Sequence, residues 1–493
     1  LSTSIERLSS GYKINGSKDD AAGCAISEKM RAQIRGLSQA QNNTADGVSV
    51  LNTAEGAITE IQSMLTRLKE LSVQAANDVN SDDEREAIQK EIEQINNEID
   101  RISDQTEFNT QSLINGNLSR RVYSDLQGVN QLSVSDSYTA GVYGITVTED
   151  ARQAIAIGAG SITMSSTASI TEEQAGAINI NGYKISISEG DTLDKVMGKI
   201  IDGVNITGGS AFTVKDLNND TAANGTDYAG YVPTADYAGS TLVIMTNQYG
   251  SDQKMNITCD NAELADILGI PQAATQDGIY VEGSDVKAEI ATGDDGKRIG
   301  FADSAILSTK GTVITVTDVN NKEFSMDVPG NAAGTVFDDS NNDGQSVAGA
   351  GTARTISQEV TDVGTMSIHV GANQDQVIVI DIPAITTYSL GTEHMNVMTQ
   401  YTASRAISTV DEAINKTNKI RSRIGAYENR FDHTTNNLEV SSENLTKSLS
   451  TMIDTDMSEE MTTYTSETVL TQAATSILAQ ANERPSQVLQ LLQ

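Results

Sequence analysis

The residues able to do chemistry are few and poorly spaced for it. Three histidines occur, in Ile368-His369-Val370, Glu393-His394-Met395 and Asp432-His433-Thr434. None has the paired helical spacing with which two imidazoles hold a catalytic zinc, and no Cys and His cluster resembles a structural zinc site. Asp339, Asn341, Asp343 and Gly344 follow the first half of a calcium loop, oxygen ligands at alternate positions and then a turn glycine. Ala350 stands where that loop needs its bidentate Glu, so an acidic turn is expected there, with weak calcium binding at Asp339–Asp343 as the alternative. Asp294 and Asp295 are neighbours in a chain full of carboxylates, and adjacency without a pocket does not make an acid and base pair. A phosphate-cradling loop ending in Gly-Lys is absent, as is a Gly-x-Ser-x-Gly elbow. The sequence therefore predicts no enzyme, no catalytic residue, no metal and no cofactor.

What remains is a question of architecture. The 493 residues carry 33 basic and 67 acidic side chains, a formal net charge of -34. A field of that sign repels nucleic-acid phosphates and anionic membranes, so neither is an expected partner. There is no Trp and only six Phe, while hydrophobic residues make up 38%, mostly aliphatic. Helix seams suit that palette better than one large core. The two cysteines, Cys24 and Cys259, lie in segments of different character and are read as free thiols. No run of about 18 apolar residues is present to span a membrane, and no secretory signal is recognisable. The chain begins at Leu1 inside a helical pattern (Leu1, Ile5, Leu8), and a truncated N-terminus is expected.

All five prolines fall between Pro233 and Pro485. Proline inside a helix removes a hydrogen bond and clashes with the preceding turn, so the two proline-free stretches permit long helices. Leu37, Ala40, Thr44, Gly47, Leu51, Ala54, Ile58, Ile61, Leu65 and Leu68 alternate steps of three and four, a heptad seam widened by Met64 and Leu71. The polar run Asn77 to Asn80 ends it, and Ser81 with Glu84 has the form of a capping box. Ile88, Ile92, Ile95, Ile99 and Ile102 then define a second helix folded back on the first. In the C-terminal part, Ile407, Val410, Ile414, Thr417, Ile424, Tyr427, Phe431, Thr434, Leu438, Ser441 and Leu445 repeat the pattern, interrupted at Arg421 with Ile420 as substitute. A helix from about Ala403 to Ile453 would be roughly 75 Å long and would need the N-terminal helices to cover its stripe. After Asp454-Thr455-Asp456, an amphipathic stretch carries Met457, Met461, Tyr464, Val469, Ala473, Ile477 and Leu478 before Pro485.

The middle follows a different grammar. Short alternating runs, Val142 to Val147, Ile178 to Ser188, Thr241 to Met245, Val313 to Val316 and Val377 to Ile382, are separated by Gly, Asn, Asp and Pro. Short helices are expected at Asp191 to Ile201 and at Glu263 to Leu268, closing on Gly269. The fold class expected is α plus β and multidomain: long terminal helices packed as an antiparallel coiled-coil-like bundle, with a mainly β central insertion.

The residues of the two ends resemble bacterial flagellin. At the N-terminal end the likeness rests on Glu6 to Gly11, Lys18 to Gly23, Asn42-Asn43, Thr53 to Ala57, Glu70-Leu71, Val73 to Ala75, Glu98 to Asp100 and Phe108-Asn109. At the other end it rests on Ile424 to Ala426, Glu443 to Leu445, Asp454 to Met457, Leu478 to Asn482 and Pro485 to Leu492. The match covers roughly residues 1 to 120 and 400 to 493. It implies a secreted filament subunit with no enzymatic activity, a helical homopolymer built through its terminal helices. As partners it implies hook-associated and cap proteins, and an export chaperone of the flagellar type III apparatus on the C-terminal helices. It also implies recognition by an innate immune receptor through Arg67, Leu71 and Glu98; Thr66 stands where many receptor-active members carry Gln.

On that likeness residues 1–32 are expected to be the remnant of the N-terminal inner-tube segment and spoke, and 33–140 the N-terminal helical part of the core. Residues 141–395 would be the outer β-rich insertion, divided near 300. Residues 396–454 would be the long C-terminal core helix, and 455–493 the C-terminal inner-tube helix. Two alternatives are a hook–filament junction protein, whose short modules Tyr143 to Val147 and Ile178 to Ser188 resemble, and an insertion that binds host glycans or mucus. The closing Leu478 to Leu492 favours the filament subunit over the junction protein.

Overall fold

A computed structural model describes the chain except residues 136–137, 215–238, 272–273, 275–277, 294–295, 319–321, 331–336, 339–346, 349–352, 362 and 492–493. The suggested calcium loop at Asp339, Asn341, Asp343, Gly344 and Ala350, and the pair Asp294 and Asp295, lie outside the described residues. The helices are α1 (Ser2–Ser10), α2 (Ala21–Ala75), α3 (Asp82–Gln105), α4 (Leu193–Ile206), α5 (Ala262–Ile267), α6 (Thr387–Leu390), α7 (Gln400–Ile453) and α8 (Met457–Leu491). The chain divides into two units, one of residues 1–51, 367–379 and 425–493, the other of residues 52–366 and 380–424. The long helices α2 and α7 each contribute one part to each unit.

In the first unit, Leu37 and Ala40 of α2 pack with Leu438 of α7, joined by Ala372 and Leu445. Farther along α2, the Phe431 ring lies directly over Gly47. Increasing numbers on α2 meet decreasing numbers on α7, so the two segments are antiparallel. A hairpin of strands Met366–His369 and Val377–Ile380 adds the backbone carbonyl of His369 as acceptor for Asn43 Nδ2 at 3.0 Å. The connectors beside α1 and α8 are tied by backbone bonds from Lys13 N to Ile453 O (2.7 Å) and from Thr455 N to Gly11 O (3.0 Å).

The helical part of the second unit holds the rest of the seam. Lys69 pairs with Asp411 at 2.6 Å, and Arg421 reaches Glu55 at 2.7 Å, again antiparallel. The Arg421 that interrupts the α7 pattern is thus a flanking ion pair, while Ile420 is buried on the stripe. The connection from α2 to α3 is fixed at both ends. Ser81 and Glu84 form a full capping box, and buried Arg85 donates to the carbonyls of Ala75 (3.1 Å) and Asn77 (3.2 Å), satisfying acceptors that the end of α2 leaves open.

Among the described residues the insertion has two large hydrophobic cores, one nested in the other along the chain, and a small third cluster of Ile155, Ile157, Phe212, Val243 and Met245. The outer core joins two four-stranded antiparallel sheets. One has the order Lys287–Ile290, Gly141–Glu149, Arg354–Val360, Val122–Ser124; the other has the order Ile306–Lys310, Val313–Thr317, Glu323–Asp327, Asn130–Val134. Between them Tyr138, Tyr143, Phe301 and Phe324 contact one another mostly edge to face, which concentrates much of the small aromatic content at one point. The inner core lies between strands Gly141–Glu149 and Lys287–Ile290 in sequence. It packs the sheet Ile279–Glu282, Lys254–Cys259, Gly176–Ile180, Tyr183–Ile187 with α4 and α5.

Two sequence expectations need correcting. Ile178 to Ser188, read as a single run, is a hairpin, because Asn181 (φ 50°) and Gly182 (φ 90°) turn the chain in the left-handed region. Asn-Gly is the pair that such a two-residue turn demands. The helix expected at Asp191 to Ile201 starts later and runs longer, since Thr192 caps α4 through the amide of Lys195 and Asp191 lies outside it.

Candidate functional site

The chemistry-bearing residues stay apart in the structure. His369 is exposed at the end of a strand that alternates half-buried and exposed residues, His394 is largely exposed, and His433 is exposed on α7. Among the described residues no three His, Cys, Asp or Glu side chains come together as a metal site. Cys24 and Cys259 are both free thiols, and burial pushes the Cys259 thiol up, away from the reactive thiolate.

What the structure does assemble is a pair of seams. Leu37, Ala40, Thr44, Gly47, Leu51, Ala54, Ile58, Ile61, Leu65 and Leu68 of α2 are all buried. On α7 the buried line is Ala403, Ala406, Val410, Ala413, Thr417, Ile420, Ile424, Tyr427, Phe431 and Leu438, in steps of three and four until a final seven. Ile407, Ile414 and Leu445 are half-buried. The sequence pattern follows the larger side chains, whereas the smaller Ala406 and Ala413, next to Ile407 and Ile414, are the buried residues. On α3, Ile88, Ile92 and Ile99 are buried and Ile95 is half-buried. The place on that line is taken by buried Asn96, whose Nδ2 donates to Thr392 O at 2.8 Å. No apolar pattern could have singled out Asn96; its i+4 spacing from Ile92 is the available signal.

The second feature is α8. The sequence predicts an amphipathic stretch, but the helix is apolar on several sides. At about 100° per residue, Met457 and Met461 lie near one line, Val469 about a third of a turn away, and Ile477 and Leu470 nearly opposite Met457. All are exposed, from 48% at Met457 to 65% at Ile477, with Leu478 at 63%. The helix also runs past Pro485 to Leu491. Within its unit α8 meets α1 through polar groups: the Leu1 ammonium pairs with Glu467, Ser4 Oγ donates to the same carboxylate at 3.5 Å, and Arg7 approaches buried Glu460 at 3.6 Å.

The three positions implied as receptor contacts differ in availability. Arg67 is half-exposed and held by Glu91 (2.8 Å) and Glu70 (3.1 Å), which raise its pKa further. Glu98 is half-exposed and bonded to Arg101, which lowers its pKa. Leu71 is only 1% exposed; it lies inside the helical packing rather than at the edge of the stripe.

With this geometry in view, comparison with known proteins gives a single answer. Residues 1–119 match the bacterial flagellin N-terminal helical region, and residues 407–492 match the C-terminal helical region. The chain is similar to the flagellin of Salmonella typhimurium, 31% identical over 100% of this chain and 95% of that protein. It is also similar to polar flagellin A of Vibrio parahaemolyticus, 30% identical over 99% and 93%, and to the flagellin of Clostridium tyrobutyricum, 28% identical over 98% and 93%. Among solved structures, FliC from Burkholderia pseudomallei aligns over 78% of this chain and 99% of its own at 13% identity, with a TM-score of 0.23, too low to bear on the architecture. Identity above 30% along the whole length is decisive: the chain belongs to the bacterial flagellins, a family of structural, non-enzymatic subunits of the extracellular flagellar filament.

Proposed function

We propose that the filament is built chiefly through α8, with α1 as its first neighbour. The observation that carries this is the exposure of Met457, Met461, Val469, Leu470, Ile477 and Leu478 around one helix. A helix apolar on several sides is stable only when surrounded, and the polar contacts of Leu1, Ser4 and Arg7 with Glu467 and Glu460 leave these apolar side chains exposed. Neighbouring copies of the same helix supply that cover, by repeated contacts that do not close into a ring. In this reading residues 1–32 and 455–493 form the innermost subunit contacts, 33–140 and 396–454 the next, and 141–395 stay free of them and face solvent. The same exposed helix is what an export chaperone would hold before assembly, and hook-associated and cap proteins would offer related helices at the filament ends.

The test is seeded polymerisation of the full chain followed by sedimentation and electron microscopy. Val469→Asp and Ile477→Asp are expected to stop elongation while circular dichroism stays unchanged, because both side chains are already in water in the monomer. Elongation at the parental rate by both variants would refute the assignment. Receptor recognition, carried over from the family likeness, falls on Arg67 and Glu98. Arg67→Ala is expected to weaken receptor binding at unchanged stability. Leu71→Ala is expected to cost about 2–5 kcal/mol of stability, so its effect on binding would report the fold and not a contact.

A further inference from the structure

Within the second unit, a cleft of about 390 Å³ lies where α7 begins, bounded by the turn after α4, the segment between strands Thr241–Thr246 and Lys254–Cys259, and the stretch before α7. Its size falls in the range of small-ligand sites. Its walls are unusual for this chain. Acidic residues outnumber basic ones 67 to 33, yet among the described residues lining the cleft none is Asp or Glu, while Arg405, Lys254 and His394 are present. The other lining groups are mainly amides and hydroxyls.

These groups are held in place before any ligand arrives. Arg405 Nη1 donates to buried Gln253 Oε1 at 3.1 Å, and Gln253 Nε2 donates to Gln248 Oε1 at 3.1 Å, so the Gln253 amide is oriented from both ends. Asn396 Nδ2 donates to Ile206 O at 3.0 Å, pinning the stretch before α7 to the end of α4. Asn247 Oδ1 accepts from Ser210 Oγ at 2.6 Å, which turns its amide group. Lys254 is paired with Glu282 at 2.6 Å and contributes little net charge. Arg405 has no carboxylate partner among the described residues, and Gln253 takes only one of its five N–H donors. Tyr401 adds an aromatic ring to the wall.

We propose that this cleft binds a saccharide bearing a carboxylate, with Arg405 receiving the carboxylate. A guanidinium fork matches a carboxylate in geometry as well as charge. Fixed amides and hydroxyls serve the ring hydroxyls, as donors and acceptors at once, and the Tyr401 ring offers a face to the sugar's C–H groups. A wholly apolar ligand would strand these polar groups, and a bare inorganic anion would leave most of them without a use.

The experiment measures binding to the full monomeric chain by saturation-transfer NMR and calorimetry. The probes are sialyllactose, glucuronic acid, lactose and acetate, so the result is independent of whether the chain polymerises. Sialyllactose or glucuronic acid is expected to bind in the millimolar range or tighter, and lactose and acetate at least about tenfold more weakly. Arg405→Gln is expected to lower affinity for the acidic sugar about tenfold. His394→Glu alters an exposed position at the cleft, keeps the fold, and is expected to reduce acidic-sugar binding while leaving any lactose signal unchanged. No binding of either acidic sugar at millimolar concentration, acetate binding as well as they do, or full affinity in both variants would overturn the proposal.

Discussion

A methyl group added at Gly47 puts the packing of the seam to a direct test. A Cβ built there lies 3.0 Å from Cζ and 3.1 Å from Cε1 of Phe431, and 3.5 Å from Cγ1 of Ile368. Comfortable carbon contacts are about 3.5–4.0 Å, so the ring would have to retreat by a few tenths of an ångström. Phe431 is fully buried and has nowhere to go without disturbing its own neighbours. Two terms then compete in Gly47→Ala. Replacing glycine in a helix interior gains about 1 kcal/mol, and overpacking a closed core costs about 1–3 kcal/mol. The expected net effect is a loss between about zero and 2 kcal/mol.

Phe431→Leu removes the ring edge and leaves room for the methyl. In that background Gly47→Ala is expected to stabilise by the propensity gain alone, about 1 kcal/mol. The cycle of four proteins should therefore show a coupling of about 1–3 kcal/mol, typical of side chains in contact. Urea unfolding followed by far-ultraviolet circular dichroism gives the four stabilities, provided the slopes agree. Because the two units need not unfold together, hydrogen exchange at the amides of residues 44–51 serves as the local readout. If Gly47→Ala stabilised both backgrounds by the same amount, the ring would not be resting on the glycine, and the antiparallel register drawn from that contact would be wrong.

Two further changes probe the ends of helices. Ser81→Ala is expected to cost about 1 kcal/mol and to speed exchange in the first turn of α3, because it removes one half of the capping box. Asp191, just before α4, is bonded to Lys195, Lys199 and the amide of Ser188, which together hold its pKa below the ordinary 3.8. A depressed carboxylate stabilises the fold above its unfolded value and loses that contribution as pH falls through the folded one. Asp191→Asn should therefore be less stable than the parent near neutrality, with the gap closing as pH falls below about 3.8 in melts followed across an acid series; a constant gap would show that the ion pairs do not matter.

The terminal helices were legible because their signal is periodic and repeated. Ten seam positions on α2 could be named from steps of three and four alone, since every one of them must point the same way. On α7 the same method favoured Ile407 and Ile414 over Ala406 and Ala413. Hydrophobicity ranks isoleucine above alanine, but burial follows which way each residue faces, and a one-residue shift along the helix cannot be settled by side-chain size alone. The order of the insertion was opaque for a different reason. Its strands pair across large sequence separations, such as Gly141–Glu149 with Arg354–Val360, and nothing local records which strand will be the neighbour. The Asn181-Gly182 turn is local, and its Asn-Gly pair divides Ile178 to Ser188 into two strands.

The cleft and α8 are two features that escape a pattern search for opposite reasons. The lining of the cleft comes from positions as far apart as Asn181 and Thr409, each unremarkable in its own segment, so its chemistry exists only after folding. α8 is local, yet its apolar residues do not form the single stripe that marks a helix packed on its own chain. Their spread around the axis is the informative feature, because a stripe asks for one neighbour and a ring of apolar residues asks for several. A chain that leaves such a helix in water must either meet further copies or be held by another protein. The -34 charge acts against the first outcome at long range and delays close approach until screening or seeding brings apolar surfaces into contact. Raising salt should therefore speed seeded elongation of the parent chain while leaving Ile477→Asp inert, and an elongation rate independent of salt would remove charge repulsion from this account.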